Sequence, residues 1–152
     1  MSVLGIRCSN KDYTFAVLTG TRKSPELLDS RTLPYPKGYS KSESLKWLLQ
    51  EIESLITTYK VEKIVINKFE GRIRGNTYEA RVEHEAMGYL AASNQGIKSV
   101  FKKVKGTIAK DLGLKGRAHY LVTSLNTSLI KDFENYSDKS KDAIFAGWSA
   151  LD

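Results

Sequence analysis

The spacing of apolar residues changes at Ser40, and that change constrains the fold more than any other feature of the chain. Before it, VLGIR (3–7), YTFAVL (13–18) and a segment within LLDSRTLPYP (27–36) are short runs rich in β-branched and aromatic residues. SNKD (9–12) has turn chemistry and GTRKSPE (20–26) reads as a loop, so these runs predict three antiparallel strands, the last ending at its prolines. After Ser40 the period becomes helical. Ser40 and Glu43 have capping-box spacing, and Leu45, Leu48, Leu49, Ile52, Leu55 and Ile56 define a helix over 42–59. KIVIN (63–67) is a continuous apolar run, suited to a strand covered on both faces.

Asn76 is placed to cap a second helix, with Glu79 as its capping acid, running to about Ser93 with Val82, Ala86, Tyr89 and Leu90 turned inward. Gly96 stops it, and IKSVF (97–101) forms a fifth strand. A short helix from Thr107 to Gly113 is expected next, then a helix from beyond Gly116 to about Phe133. A final helix starts near Ser137 or Asp138 and buries Ala143, Ile144, Ala146, Gly147 and Leu151. The whole is one α/β domain over residues 1–152. It has a mixed five-stranded sheet, three strands antiparallel and two parallel, with helices on both faces.

Charge and composition narrow the function. Lys and Arg number 24 against 17 Asp and Glu, a net +7. The excess is concentrated in one segment, where Lys98, Lys102, Lys103, Lys105, Lys110, Lys115 and Arg117 face only Asp111. Such a patch attracts polyanions, or is simply a solvated face. No run approaches the length of a membrane span, and no signal peptide is expected because Arg7 and Asn10 interrupt the first apolar run. The expected location is cytoplasmic. The single cysteine, Cys8, excludes an internal disulfide and is read as a small buried side chain.

Several carboxylates are placed to converge. Glu70 follows the KIVIN strand; Asp138 and Asp142 are four apart at the start of the last helix; Glu79 and Glu83 share a face of the second. Asp138 also suits an N-terminal cap, and Glu83 a solvated surface. In EGRIRGN (70–76), Arg72 and Arg74 stand beside Glu70. Tyr78 and Tyr120, near the basic elements, can stack on unpaired bases or fill the rim of the core. His84 and His119 are isolated and are assigned no catalytic or metal-binding role.

The strand and helix order is that of the ribonuclease H-like fold, and four segments in register resemble the RuvC-type Holliday-junction resolvases. VLGIRCSN resembles their opening strand, and KIVINKFEG the strand delivering their second acid, matched by Glu70. IAKDLGLKGRA (108–118) resembles their basic helix and glycine-rich turn. SDKSKDAIFAGWSAL resembles their last helix, with Asp142-Ala143 at its acid. The resemblance implies a two-metal nuclease using Mg²⁺ or Mn²⁺, a nucleic-acid partner and a dimer, and the amphipathic helix at 77–93 is available as an interface.

One departure dominates. Arg7 stands where the resemblance places the first catalytic acid, and a guanidinium cannot ligate a metal. Asp138 and Asp142 are also four apart where the family has three. Asp12 is a conceivable substitute acid. Arg7 is therefore expected to form an ion-pair cluster with Glu70 and Asp142, and three readings stay open. The first is a nuclease-derived module that binds nucleic acid through Arg72, Arg74, Lys102, Lys103, Lys105, Lys110, Lys115 and Arg117 without a cofactor. The second is an active nuclease with a rearranged site of Glu70, Asp138 and Asp142, its metal held by Glu70 and Asp142. The third is a protein-interaction scaffold.

Overall fold

The computed structural model describes residues 1–68, 70–71, 75–115 and 117–152, with the side chains of 75 and 76 set aside. Arg72 and Arg74 therefore lie outside the described residues. Strands β1 (Ser2–Cys8), β2 (Asp12–Thr21) and β3 (Ser24–Pro34) form the antiparallel meander. Helix α1 (Lys41–Tyr59), strand β4 (Val61–Asn67), helix α2 (Gly75–Asn94) and strand β5 (Ser99–Lys103) follow. The sheet order is β3-β2-β1-β4-β5, with β4 parallel to both β1 and β5. No helix among the described residues is long and apolar enough to cross a membrane.

Strand alternation explains the two cores. In β4, Ile64 and Ile66 face one side and Val65 the other, and all three are fully buried. Ile64 and Ile66 join Leu4, Ile6 and Val17 beneath α1, which contributes Leu48, Ile52 and Ile56. Val65 joins Val3, Ala16 and Leu18 on the opposite face, under helix α5 (Asp138–Trp148). Helix α1 starts as the capping box predicts: Ser40 Oγ accepts the Glu43 N–H, and the Glu43 carboxylate accepts the Ser40 N–H. Ser137 caps α5, so Asp138 is a first-turn acid rather than the cap.

Strand β1 and helix α5 approach each other backbone to backbone. A Cβ built on Gly5 would lie 2.0 Å from the Ala143 carbonyl oxygen and 2.7 Å from the Gly147 nitrogen. Two glycines thus let a helix backbone rest on a strand backbone. That contact brings the start of α5 over the end of β1.

Four expectations are corrected. GTRKSPE is not a loop, because β2 and β3 run on until only Arg22 and Lys23 turn, pairing Thr21 with Ser24. The helix expected from beyond Gly116 to Phe133 is instead broken. It comprises a four-residue α4 (Tyr120–Thr123) and two single 3₁₀ turns, Thr127–Leu129 and Phe133–Asn135. Hydroxyl and amide residues crowd this stretch, and such side chains favour local bonds over a continuous helix; Thr123 Oγ1 donates to the His119 carbonyl, and Ser128 Oγ to Asn126 Oδ1. Asp132 interrupts further, with φ 55°.

Helix α2 is also rotated from expectation, with Ala86, Tyr89 and Leu90 exposed and Val82 half-buried. Arg81, His84, Glu85, Gly88, Ala91 and Ala92 face the sheet instead. Small residues decide this, since Gly88 lies so close to Ile66 that a Cβ would come within 2.8 Å of its Cδ1. The short helix α3 (Lys105–Asp111), which follows β5, begins two residues before the expected Thr107.

A candidate nucleic-acid interface at the end of the first strand

Arg7 pairs with Thr14 on β2 and lies one residue before the end of β1, on the face that α5 covers. Its Nε donates to Asp142 Oδ2 at 3.0 Å, with the two side chains 21% and 17% exposed. The other carboxylate oxygen, Asp142 Oδ1, faces Lys105 Nζ at 3.3 Å. Glu70 is held differently: its Oε2 accepts the Lys105 backbone N–H at 3.0 Å. The expected cluster of Arg7 with both acids is therefore modified. Asp142 takes the two cations, and Glu70 takes the backbone donor that follows β5.

These groups line one open cleft of about 340 Å³, together with Asn67, Lys68 and Arg81. The described lining carries Arg7, Lys68, Arg81 and Lys105 against Glu70 and Asp142, so positive charge prevails. Burial depresses the Arg81 guanidinium, and the nearby Arg7 charge lowers it further, against the raising effect of Glu85. A metal-ligand set is not formed here. Among the described residues no group of three His, Cys, Asp or Glu side chains is placed to hold a metal ion. The cleft does not fit the divalent ions that the fold family implies.

The remaining acids are separated. Asp12 is engaged away from the cleft: Lys139 Nζ holds it at 2.7 Å and 2.9 Å, and Ser9 Oγ donates to it at 2.6 Å. Burial alone would raise the Asp12 carboxyl, but these hydrogen bonds outweigh it and the net shift is downward. Asp138, exposed one turn before Asp142, lines a neighbouring cavity instead. Glu79 is exposed, and Glu83 pairs with Lys41 at 3.2 Å.

The basic residues divide by strand geometry. Lys102 and Lys103 are consecutive on β5 and point to opposite faces. Lys102 reaches buried Glu85 at 2.8 Å, and Lys103 reaches Asp111 at 2.8 Å and Ser149 Oγ at 3.1 Å. Their charges are thus largely matched within the fold. Lys110, Lys115 and Arg117 are exposed. Tyr120 lines a recess with Lys115, its ring 4.2 Å from that of His119. Tyr78 is half-buried.

A buried polar layer underlies the cleft. Glu85, 1% exposed, pairs with Arg81 at 3.3 Å as well as with Lys102. His84 stacks on Tyr35 with centroids 4.2 Å apart. Cys8 is buried, and desolvation followed by the Glu85 charge pushes its thiol up to about 12, leaving it inert. Lys105 and the Arg81–Glu85–Lys102 set were not read from the sequence as structural partners. The i,i+4 spacing of Arg81 and Glu85 was the available signal, but it does not reveal which face is buried.

No protein-family model and no curated protein matches the sequence. Solved structures do match. The chain is similar to RuvC of Thermus thermophilus, with a TM-score of 0.81 and 13% identity over 98% of this chain and 92% of that one. The same protein in complex with Holliday junction substrate matches with a TM-score of 0.77, also at 13% identity, over 98% and 91%. The yeast mitochondrial Holliday junction resolvase matches with a TM-score of 0.62 and 13% identity over 97% of this chain and 77% of its own. The chain has the RuvC-like form of the ribonuclease H-like fold.

Proposed function

We propose that this chain is a nucleic-acid-binding protein, acting in the cytoplasm, whose fold is that of a junction resolvase and whose nuclease site is closed. The double engagement of Asp142, by Arg7 at 3.0 Å and Lys105 at 3.3 Å, carries the reading. A hard divalent ion needs carboxylate oxygens free to converge on it. Here one acid is bound by two cations, the other accepts a backbone N–H, and a permanently charged guanidinium lines the same cleft. Such a cleft attracts a phosphate and repels a metal ion.

The partner is best sought among branched and single-stranded DNAs. RuvC of Thermus thermophilus was solved with a Holliday junction, and the exposed basic residues here follow the strand ends where open α/β sheets bind ligands. Lys105 in the cleft, with Lys110, Lys115 and Arg117 beyond it, supplies the phosphate contacts, and Tyr120 beside Lys115 supplies a stacking surface. Arg72 and Arg74 belong to the same interface by their place after Glu70. Lys102 and Lys103 add to the field without being free to grip a phosphate.

Salt titration tests this. Binding of a four-way junction weakens steeply with salt, and changing Lys110, Lys115 and Arg117 together to Gln lowers the log–log slope by roughly 2–3. Unchanged slope and affinity in that variant would place the contacts elsewhere. The exposed α2 stripe of Tyr89 (44%) and Leu90 (45%), with Ala86, supports a homodimer through that helix. On that basis Leu90→Glu elutes as a monomer where the parent chain elutes as a dimer; identical elution of both proteins would remove the α2 interface.

A further inference from the structure

Asp142 and Lys105 form a wall with two sides. One side is the Arg7 cleft. The other is a separate cavity of about 290 Å³, whose lining includes Phe133, Phe145, Val122, Asp138 and Lys141. We propose that this second cavity receives one unpaired guanine of a strand whose phosphate lies in the Arg7 cleft, with Asp138 as the group that selects the base. The inference rests on the nucleic-acid reading and adds to it a base preference.

Continuity is the first support. Lys105 and Asp142 line both cavities, so a strand held by Lys105 has one cavity for its phosphate and the next for its base. The lining is the second. Val122, 79% exposed, gives the cavity an apolar wall, and the nearly buried edges of Phe133 and Phe145 (6% and 5% exposed) lie at its floor. Apolar surface of this kind takes up a base removed from its stack.

The polar groups then discriminate among bases. Glu134 is engaged by Lys141 at 3.2 Å, and Asp142 by Arg7 and Lys105. Asp138 also lines this cavity, and no ion pair or hydrogen bond engages its carboxylate among the described residues. A carboxylate only accepts hydrogen bonds. The pairing edge of guanine offers two adjacent N–H donors, and its O6 accepts from an ammonium such as Lys141. Thymine offers one N–H between two carbonyl oxygens, which face a carboxylate unfavourably. Adenine and cytosine offer one amino donor beside a bare ring nitrogen. A first-turn acid that served only the helix dipole would discriminate among none of these.

The test uses two fluorescein-labelled single strands of equal length, one all thymine and one with a single central guanine, titrated against the full chain at low salt in EDTA. The guanine strand binds about ten-fold tighter, and Asp138→Asn brings the ratio of the two affinities towards one. Val122→Asp, on a side chain that stands in solvent, narrows the same ratio without touching α5. Equal affinities in the parent chain, or a guanine preference that both variants keep, overturns the base pocket and leaves the nucleic-acid reading standing. Failure of the parent chain to bind either strand overturns both.

Discussion

Gly5→Ala yields little folded protein. The new methyl group would sit 2.0 Å from the Ala143 carbonyl oxygen and 2.7 Å from the Gly147 nitrogen, and both are backbone atoms of a helix fixed by its own hydrogen bonds. No side chain can rotate away, so α5 must lift off β1. That opens the core around Ala143, Ile144 and Trp148 and parts Arg7 from Asp142. The expected loss is on the order of 4 kcal/mol or more, in the range reserved for severe overpacking, and a large share of a typical domain's stability. Gly147→Ala is the control. Its Cβ meets the Leu18 Cδ1 at 2.6 Å, the end of a side chain that can turn, so the cost is about 1–3 kcal/mol. Thermal melts of the two variants check the order. A Gly5→Ala protein that melts with the parent chain would mean the helix does not rest on the strand at this point.

Arg7→Ala has the second largest effect. It leaves Asp142 mostly buried with only Lys105 beside it, and leaves the space of a guanidinium unfilled. Breaking a fully buried pair costs roughly 3–5 kcal/mol. Because each partner is about a fifth exposed and Lys105 remains, a loss of about 2–3 kcal/mol is expected here, lowering Tm by roughly 4–12 °C in a chain of this size. Arg7→Asp distinguishes the electrostatic role from simple packing. It places a third carboxylate with Glu70 and Asp142, and Mn²⁺ is expected to raise the Tm of that variant and not of the parent. An unchanged Tm in Arg7→Ala would show that the ion pair contributes nothing.

The sheet was legible because its signals are local. Alternating runs, the capping box at Ser40 and the apolar KIVIN strand each report a period that holds within a few residues, and the three-strand start followed by alternation leaves few topologies. The pairing of Arg7 with Asp142 was legible too, since a cation at a strand end facing acids must find a partner. What was not legible depends on distant residues. The buried face of α2 carries Arg81 and Glu85, which are tolerable inside only because Lys102 reaches Glu85 from β5. The basic segment looked like one patch, but strand alternation sends Lys102 and Lys103 to opposite faces and ties each to an acid. The chain between Tyr120 and Tyr136 carries apolar residues at helical spacing, yet hydroxyl and amide side chains divide it into short turns.

The central claim is that a nuclease fold has kept its affinity for nucleic acid and lost its metal chemistry at Arg7. The most direct measurement incubates labelled single-stranded, duplex and four-way-junction DNA, and RNA, with the protein in Mg²⁺ or Mn²⁺, alongside Glu70→Gln. The account predicts retarded, intact bands that weaken with salt. Cleavage that disappears in Glu70→Gln would contradict it, by showing that Glu70, Asp138 and Asp142 work as a rearranged metal site despite Arg7. Bands neither shifted nor cut would also contradict it, and would turn attention to an acidic protein partner.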